Sequence, residues 1–211
     1  HSKADVAKLF ESLHKVDPRF RLAFLLAAEL RIGQALLCLR SHLNLQGDQT
    51  NAHGTLTIPV AGTKPSVTLA LMQDQRALLD DCLTVGYLRH LEAAYQSGAL
   101  RDYPIFAGGR LRDGAIRVRG SLPFWNRRSA LDEFHRLEVV AGISPEKGRA
   151  WYGVRRLFSD ILPLHTDDNV LLGQLGAHTV ETRDRLYRDR QAPDLLSRAR
   201  QIRATVRASL Q

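Results

Sequence analysis

The stretch that decides the fold is residues 54–71, GTLTIPVAGTKPSVTLAL. Threonine alternates with leucine, isoleucine and valine on both sides of Ala61-Gly62-Thr63-Lys64-Pro65, a run of turn-forming residues. Alternation of period two around such a turn predicts a β-hairpin, with strands over 55–60 and 67–71. A third short strand is expected at 43–45, so the β region spans about 43–71. Everything outside it reads as helix or loop. Residues 2–16 carry Ser2 as a helix N-cap and Val6, Leu9, Phe10 and Leu13 on one face. Asp17-Pro18 ends that helix, and the apolar run 19–39 predicts one core helix or two. Further helices are expected over 73–97, 121–141, 151–162 with an extension or successor to 172, 180–187 and 195–210. Gly142-Ile143-Ser144-Pro145 stops the helix over 121–141, 165–168 reads as a turn, and Gly173 and Gly176 punctuate the segment before 180. Residues 103–120 read as a flexible loop. The expected class is therefore α+β: mainly helical, with a small antiparallel sheet.

Composition narrows the function. The chain has 211 residues, 44% of them apolar, which is ordinary for a globular protein with one sizeable core. No apolar run approaches the length that crosses a bilayer, and the N-terminus lacks the pattern of a signal peptide. Cys38 and Cys82 sit in apolar helical contexts and form no CxxC pair. They are expected to be buried, reduced thiols, with no metal site. The net charge is +8, and arginine far outnumbers lysine. Forked guanidinium donors suit phosphate, so the charge suggests a polyanion such as nucleic acid as partner, with a solvated basic face as the alternative.

The stretch WYGVRRLFSDIL, residues 151–162, sharpens this. Leu157, Phe158, Ile161 and Leu162 give it an apolar stripe at helical spacing, yet it contains Arg155 and Arg156. A guanidinium keeps its proton and is costly to bury without an anion. Arg31 poses the same problem inside AAELRIGQALLCLR. Lys64 stands at the hairpin tip, His178 comes after Gly176-Ala177, and Tyr187 ends VETRDRLY. Each has an ordinary structural explanation when taken alone: a surface ion pair, a solvated turn, a helix-cap histidine, a half-buried phenol.

Their order is another matter: arginine, hairpin lysine, a residue three before a second arginine, that arginine, histidine, tyrosine. This order resembles the catalytic domain of the tyrosine recombinases, the phage-integrase family. ELRIGQALLCLRSHLNL is similar to the first arginine box, with Arg31 at the active position. The hairpin is similar to the family's lysine hairpin. YGVRRLFSDIL resembles the His-x-x-Arg box, with Arg155 as second arginine and Tyr152 in the usual histidine position. LGAHTVETRDRLYRD resembles the closing box, with His178 and Tyr187. Arg155 to His178 is 23 residues and His178 to Tyr187 is nine. DYPIF, residues 102–106, resembles a short segment that the family carries after the hairpin.

The resemblance implies a recombinase catalytic domain over 1–190 and DNA cleavage through a covalent 3′-phosphotyrosyl link. Tyr187 would be the nucleophile, Arg31 and Arg155 the phosphate clamp, and Lys64 the general acid. His178 would donate a further hydrogen bond, and Tyr152 would hydrogen-bond the phosphate or simply pack. No metal, ATP or other cofactor is implied. Arg110, Arg112, Arg117 and Arg119, together with Arg156, are candidate DNA contacts. On the helix, the side chain of Arg156 points about 100° away from that of Arg155. Double-stranded DNA is the implied partner, bound by a homo-oligomer, as a tetramer in the family. The implied setting is a cytoplasmic, nucleoid-associated protein of a bacterium or phage. The family's N-terminal DNA-clamping domain is absent from these residues, which predicts weak DNA binding by this chain alone. Residues 191–211 form a helical tail with an apolar face at Leu195, Leu196, Ile202 and Val206. In the family such a tail packs on a neighbouring protomer; docking on its own domain is the alternative.

Four features depart from the family's pattern. The Gly-His step of the closing box is here Gly176-Ala177-His178. Gln34 stands where an acidic residue usually supports the first arginine. The Arg31-to-Lys64 gap is long, with extra residues at 46–54. Tyr152 replaces histidine. Two other readings compete: a non-catalytic DNA-binding relative that kept the fold, and a type IB topoisomerase.

Overall fold

The structure is a computed structural model that describes residues 2–28, 32–47, 49, 51–59, 66–116, 122–145, 150–161 and 193–209. Helix α1 (Lys3–Ser12) starts as its sequence predicts. Ser2 Oγ accepts from Asp5 N at 3.1 Å, and the Asp5 carboxylate accepts from Ser2 N at 2.8 Å, a reciprocal capping box. These bonds hold the Asp5 carboxyl below its usual range. A 3-10 turn (Leu13–Lys15) leads to α2 (Pro18–Ala27), which Asp17 caps and Pro18 opens. Phe20, Leu22, Ala23, Phe24 and Leu26 of α2 are all buried. A helix this apolar around its circumference is a central one. α1, α4 and α6 pack around it. The short α3 (Ile32–Ala35) comes next, so the run 19–39 holds two helices. Cys38 lies just after α3 rather than within a helix.

The sheet has three antiparallel strands in the order β1 (Leu43–Asn44), β2 (Thr55–Ile58), β3 (Val67–Ala70). Leu56 pairs with Leu69 and Ile58 with Val67, which confirms the hairpin. Leu56, Ile58 and Leu69 face the core. Thr57 and Thr68 meet across the other face, their hydroxyls 3.2 Å apart.

Helices α4 (Gln73–Thr84) and α5 (Arg89–Gln96) correct the expectation of one helix over 73–97. The chain turns at Gly86, where a Cβ would stand 2.8 Å from Cys82 Cα. Only glycine permits that approach. Helix α6 (Arg127–Val140) also begins later than expected. Asn126 caps it, and the preceding residues are not helical: Phe124 bridges to Ala107, and Trp125 N donates to Phe106 O at 2.8 Å. Gly142, with φ of 71°, ends it as predicted. Helices α7 (Ala150–Ile161) and α8 (Pro193–Ala208) complete the described elements. The turn at 165–168, Gly173, Gly176 and the helix over 180–187 lie outside the described residues.

The core gathers Phe20 and Phe24 of α2, Phe134 of α6 and Trp151 of α7, with Trp125 at its edge. The class is thus mainly α with a small antiparallel sheet. No described helix is long and apolar enough to cross a membrane.

Candidate active site

The register of α7 decides what its two arginines can do. Trp151, Val154, Phe158 and Ile161 are buried, and Leu157 is only partly so. The buried stripe therefore includes Trp151 and Val154, which were absent from the expected one; Leu162 lies outside the described residues. Trp151 fixes the register by standing edge-on to Phe24 at 5.5 Å and to Phe20 at 5.8 Å. At about 100° per residue, Arg155 lies roughly 80° from the centre of the buried stripe, on its seam with solvent. Arg155 is accordingly half-buried, with Nε fully covered. Tyr152 lies one turn earlier, on the outward side of the same seam, and is 62% exposed. The two are spaced i, i+3 and can meet one ligand. Arg156 points away from the buried stripe into solvent, its Nε 4.0 Å from the Asp160 carboxylate. An exposed pair at that distance contributes little.

Arg31, Lys64, His178 and Tyr187 lie outside the described residues, as do Arg117 and Arg119. The flanks of the first two are described and are tied together. Gln34 Nε2 donates to Pro59 O at 2.9 Å, linking α3, just past Arg31, to the end of β2, just before Lys64. Gln34 thus bonds to the backbone just past the turn end of β2. Gly33 lies 3.7 Å from the Arg127 side chain, measured from an ideal Cβ position, so α3 sits against the start of α6.

Sequence reading missed a polar network centred on Glu92. Arg40 donates to both oxygens of Glu92, at 2.8 and 3.0 Å, and Tyr103 Oη donates to the same carboxylate at 2.5 Å. Burial pushes the Glu92 carboxyl up, but the bonds from Arg40, Tyr103 and Gln96 outweigh it and hold it below the usual range. The only sequence signal was an arginine and a glutamate at otherwise apolar positions 52 residues apart. Asp102 adds a second tie: Ser41 Oγ donates to it at 2.6 Å and Tyr103 N at 2.8 Å. Together these bonds join residues 40–41 to Glu92, Asp102 and Tyr103.

The loop holding Arg110 and Arg112 is less free than expected. Residues 103–108 are buried, and Tyr87 Oη donates to Ile105 O at 2.6 Å. Arg19, stacked 4.9 Å from the Trp125 ring, donates to Gly109 O at 2.9 Å. Exposure begins at Gly109, and Arg110 and Arg112 both reach solvent. Arg112 and Ala115 exchange backbone bonds around Asp113-Gly114, whose positive φ angles of 52° and 69° make a tight primed turn.

Both cysteines are buried, and burial pushes each thiol up to about 12. Neither is a nucleophile at neutral pH. Among the described residues no cluster of histidine, cysteine and carboxylates has the geometry to hold a metal ion. The tail helix α8 packs on β3, and its Val206 and Ala199 are buried within this same chain.

The class this defines is a mainly helical domain with a three-stranded antiparallel sheet, in which one helix presents a half-buried arginine beside an exposed tyrosine. No protein-family model matches the chain, and no curated protein matches its sequence. The fold is shared with a solved structure, the XerH site-specific recombinase bound to its difH substrate in a pre-cleavage complex. The TM-score is 0.54 at 18% identity, over 88% of this chain and 48% of that one. This chain thus spans about half the length of the recombinase it resembles.

Proposed function

We propose that the chain is the catalytic domain of a tyrosine-type site-specific DNA recombinase, a member of the phage-integrase family. The observation that carries the reading is the seam of α7. In a fold shared with a recombinase, the arginine that stands in the second arginine box is half-buried beside Tyr152, one turn away. The order and spacing of the sequence boxes support the rest.

In this reading Arg31 and Arg155 clamp the non-bridging oxygens of the scissile phosphate, where charge builds up as the phosphorus is attacked. Tyr187 Oη gives up its proton to solvent water and forms the new bond to phosphorus, giving a 3′-phosphotyrosyl ester. The bond to the 5′ oxygen breaks, and Lys64 protonates that oxygen. Because the phenolate is a good leaving group, a 5′ hydroxyl from another strand reverses the step without ATP. His178 and Tyr152 donate hydrogen bonds to the phosphate. A phenol is a poor base at neutral pH, so Tyr152 does not take over the proton-accepting role of a histidine. Double-stranded DNA is the substrate, met by Arg110, Arg112, Arg117, Arg119 and Arg156, and the working unit is a homo-oligomer on DNA.

A second reading is a non-catalytic DNA-binding relative. Tyr152 and Gln34 favour it, since Gln34 spends an amide N–H on Pro59 O. Nicked suicide duplexes from a random-sequence library separate the two. Under denaturing conditions the recombinase reading expects a sequence-selective covalent protein–DNA adduct. Selective DNA binding with no adduct supports the non-catalytic reading. Relaxation of supercoiled DNA without sequence preference supports a topoisomerase instead.

A further inference from the structure

Two arginines of α8 point inward rather than to solvent: Arg203 is 3% exposed and Arg207 6%. Arg203 Nη1 donates to Ala70 O at 3.0 Å, and its Nη2 donates to Leu26 O at 3.1 Å. Arg207 Nη2 donates to Leu25 O, which also accepts from Gln75 Nε2 at 2.6 Å. Leu25 and Leu26 lie in the last turn of α2, where carbonyls lose their intrahelical donors and the helix dipole favours a cation.

The position of these acceptors gives the contact its meaning. Leu26 is five residues before Arg31, and Ala70 ends β3, six residues after Lys64. Arg203 itself stands sixteen residues after Tyr187. One planar guanidinium therefore bridges the element leading into Arg31 and the hairpin carrying Lys64, from the helix that lies beyond the tyrosine in sequence. If stability alone were at stake, an apolar side chain of similar volume would serve as well. Two carbonyls on different elements at a fixed spacing call for a rigid fork, which lysine does not have.

We propose that Arg203 is a positioning residue: it sets the spacing of the Arg31 and Lys64 segments and makes that spacing depend on the docking of α8. The proposal rests on the recombinase reading for the roles of Arg31, Lys64 and Tyr187. It ties cleavage competence to the seating of the tail through a contact inside one chain. Arg207 gives the same α2 turn a second anchor.

The test compares Arg203→Lys with the parent protein. Lysine keeps the charge and one bond but not the bridge. Single-turnover adduct formation on a nicked suicide duplex is expected to slow about ten- to a hundredfold, as small misplacements of reacting groups do. DNA affinity and melting temperature are expected to stay near the parent's. A parent-like cleavage rate overturns the proposal, and so does a rate that falls only in step with DNA affinity or melting temperature. Hydrogen exchange gives a readout independent of catalysis. In Arg203→Lys, amides 32–36 and 67–71 are expected to exchange faster together, while those of α5 do not change. Parent-like exchange at either segment overturns the coupling. A parent protein that forms no adduct refutes the recombinase reading instead, and the exchange arm then still decides whether Arg203 couples the two segments.

Discussion

Trp151→Ala tests the placement of α7, on which the position of Arg155 depends. Trp151 is 3% exposed and meets three rings: Phe24 at 5.5 Å, Phe20 at 5.8 Å and Phe134 at 6.4 Å. Truncating a buried aromatic to alanine costs about 3–5 kcal/mol. The upper part of that range applies here, because the rings belong to two different helices and each aromatic pair adds about 0.5–1.5 kcal/mol beyond burial. A loss of about 4–5 kcal/mol lowers the melting temperature of a domain this size by roughly 10–15 °C. Urea unfolding followed by far-UV circular dichroism measures it, with the slope against urea expected to stay constant. Arg156→Ala is the control. It removes an exposed side chain 4.0 Å from Asp160 and should change stability by less than about 0.5 kcal/mol. A Trp151→Ala loss below about 1 kcal/mol, or an Arg156→Ala loss above about 2 kcal/mol, would mean that α7 is rotated from this register. The seam position of Arg155 would fall with it.

Glu92→Gln should destabilise the domain by about 3 kcal/mol, because it strands the buried Arg40 guanidinium. The same carboxylate sets an acid limb. Its native value lies below the ordinary 4.5, so its contribution is complete above 4.5 and is lost as pH falls through the lower native value. An acid titration of stability in Glu92→Gln should lack this component, and an unchanged limb would contradict it. Cys38 and Cys82, each pushed up to about 12, should resist iodoacetamide at pH 8 until urea unfolds the chain. Rapid labelling of the native protein would refute their burial. Gly86→Ala drives a Cβ to 2.8 Å from Cys82 Cα and should cost about 1–3 kcal/mol; a neutral variant would show that the α4–α5 turn is looser than this approach requires.

What the sequence made legible was local. The Ser2 cap, the Asp17-Pro18 boundary, the Gly142 stop and the threonine-rich hairpin are each written in a few consecutive residues, and each stands where it was expected. What it concealed was tertiary. The break at Gly86 depends on how close the chain comes to Cys82 across the turn, a contact that helical periodicity does not record. Residues 103–108 looked like a loose loop because they lack period. They are held by Tyr87 and by Trp125, partners distant in sequence. Arg40, Arg203 and Arg207 are buried, because their acceptors are a distant glutamate and backbone carbonyls, partners that local sequence does not mark. For the candidate site, the i, i+3 spacing of Tyr152 and Arg155 was legible, but the seam was not. The apolar stripe first suggested by Leu157 and Phe158 is centred instead on Val154 and Phe158, with Trp151 at its edge.

In the recombinase proposed above, Tyr187 carries the DNA. Covalent adducts trapped in denaturant from nicked suicide duplexes can be digested with protease, and the DNA-linked peptide sequenced by mass spectrometry. The account predicts one modified residue, Tyr187, attached to a 3′ phosphate, and no adduct from Tyr187→Phe at equal DNA occupancy. An adduct that survives Tyr187→Phe, or one mapped to Tyr152, would contradict it.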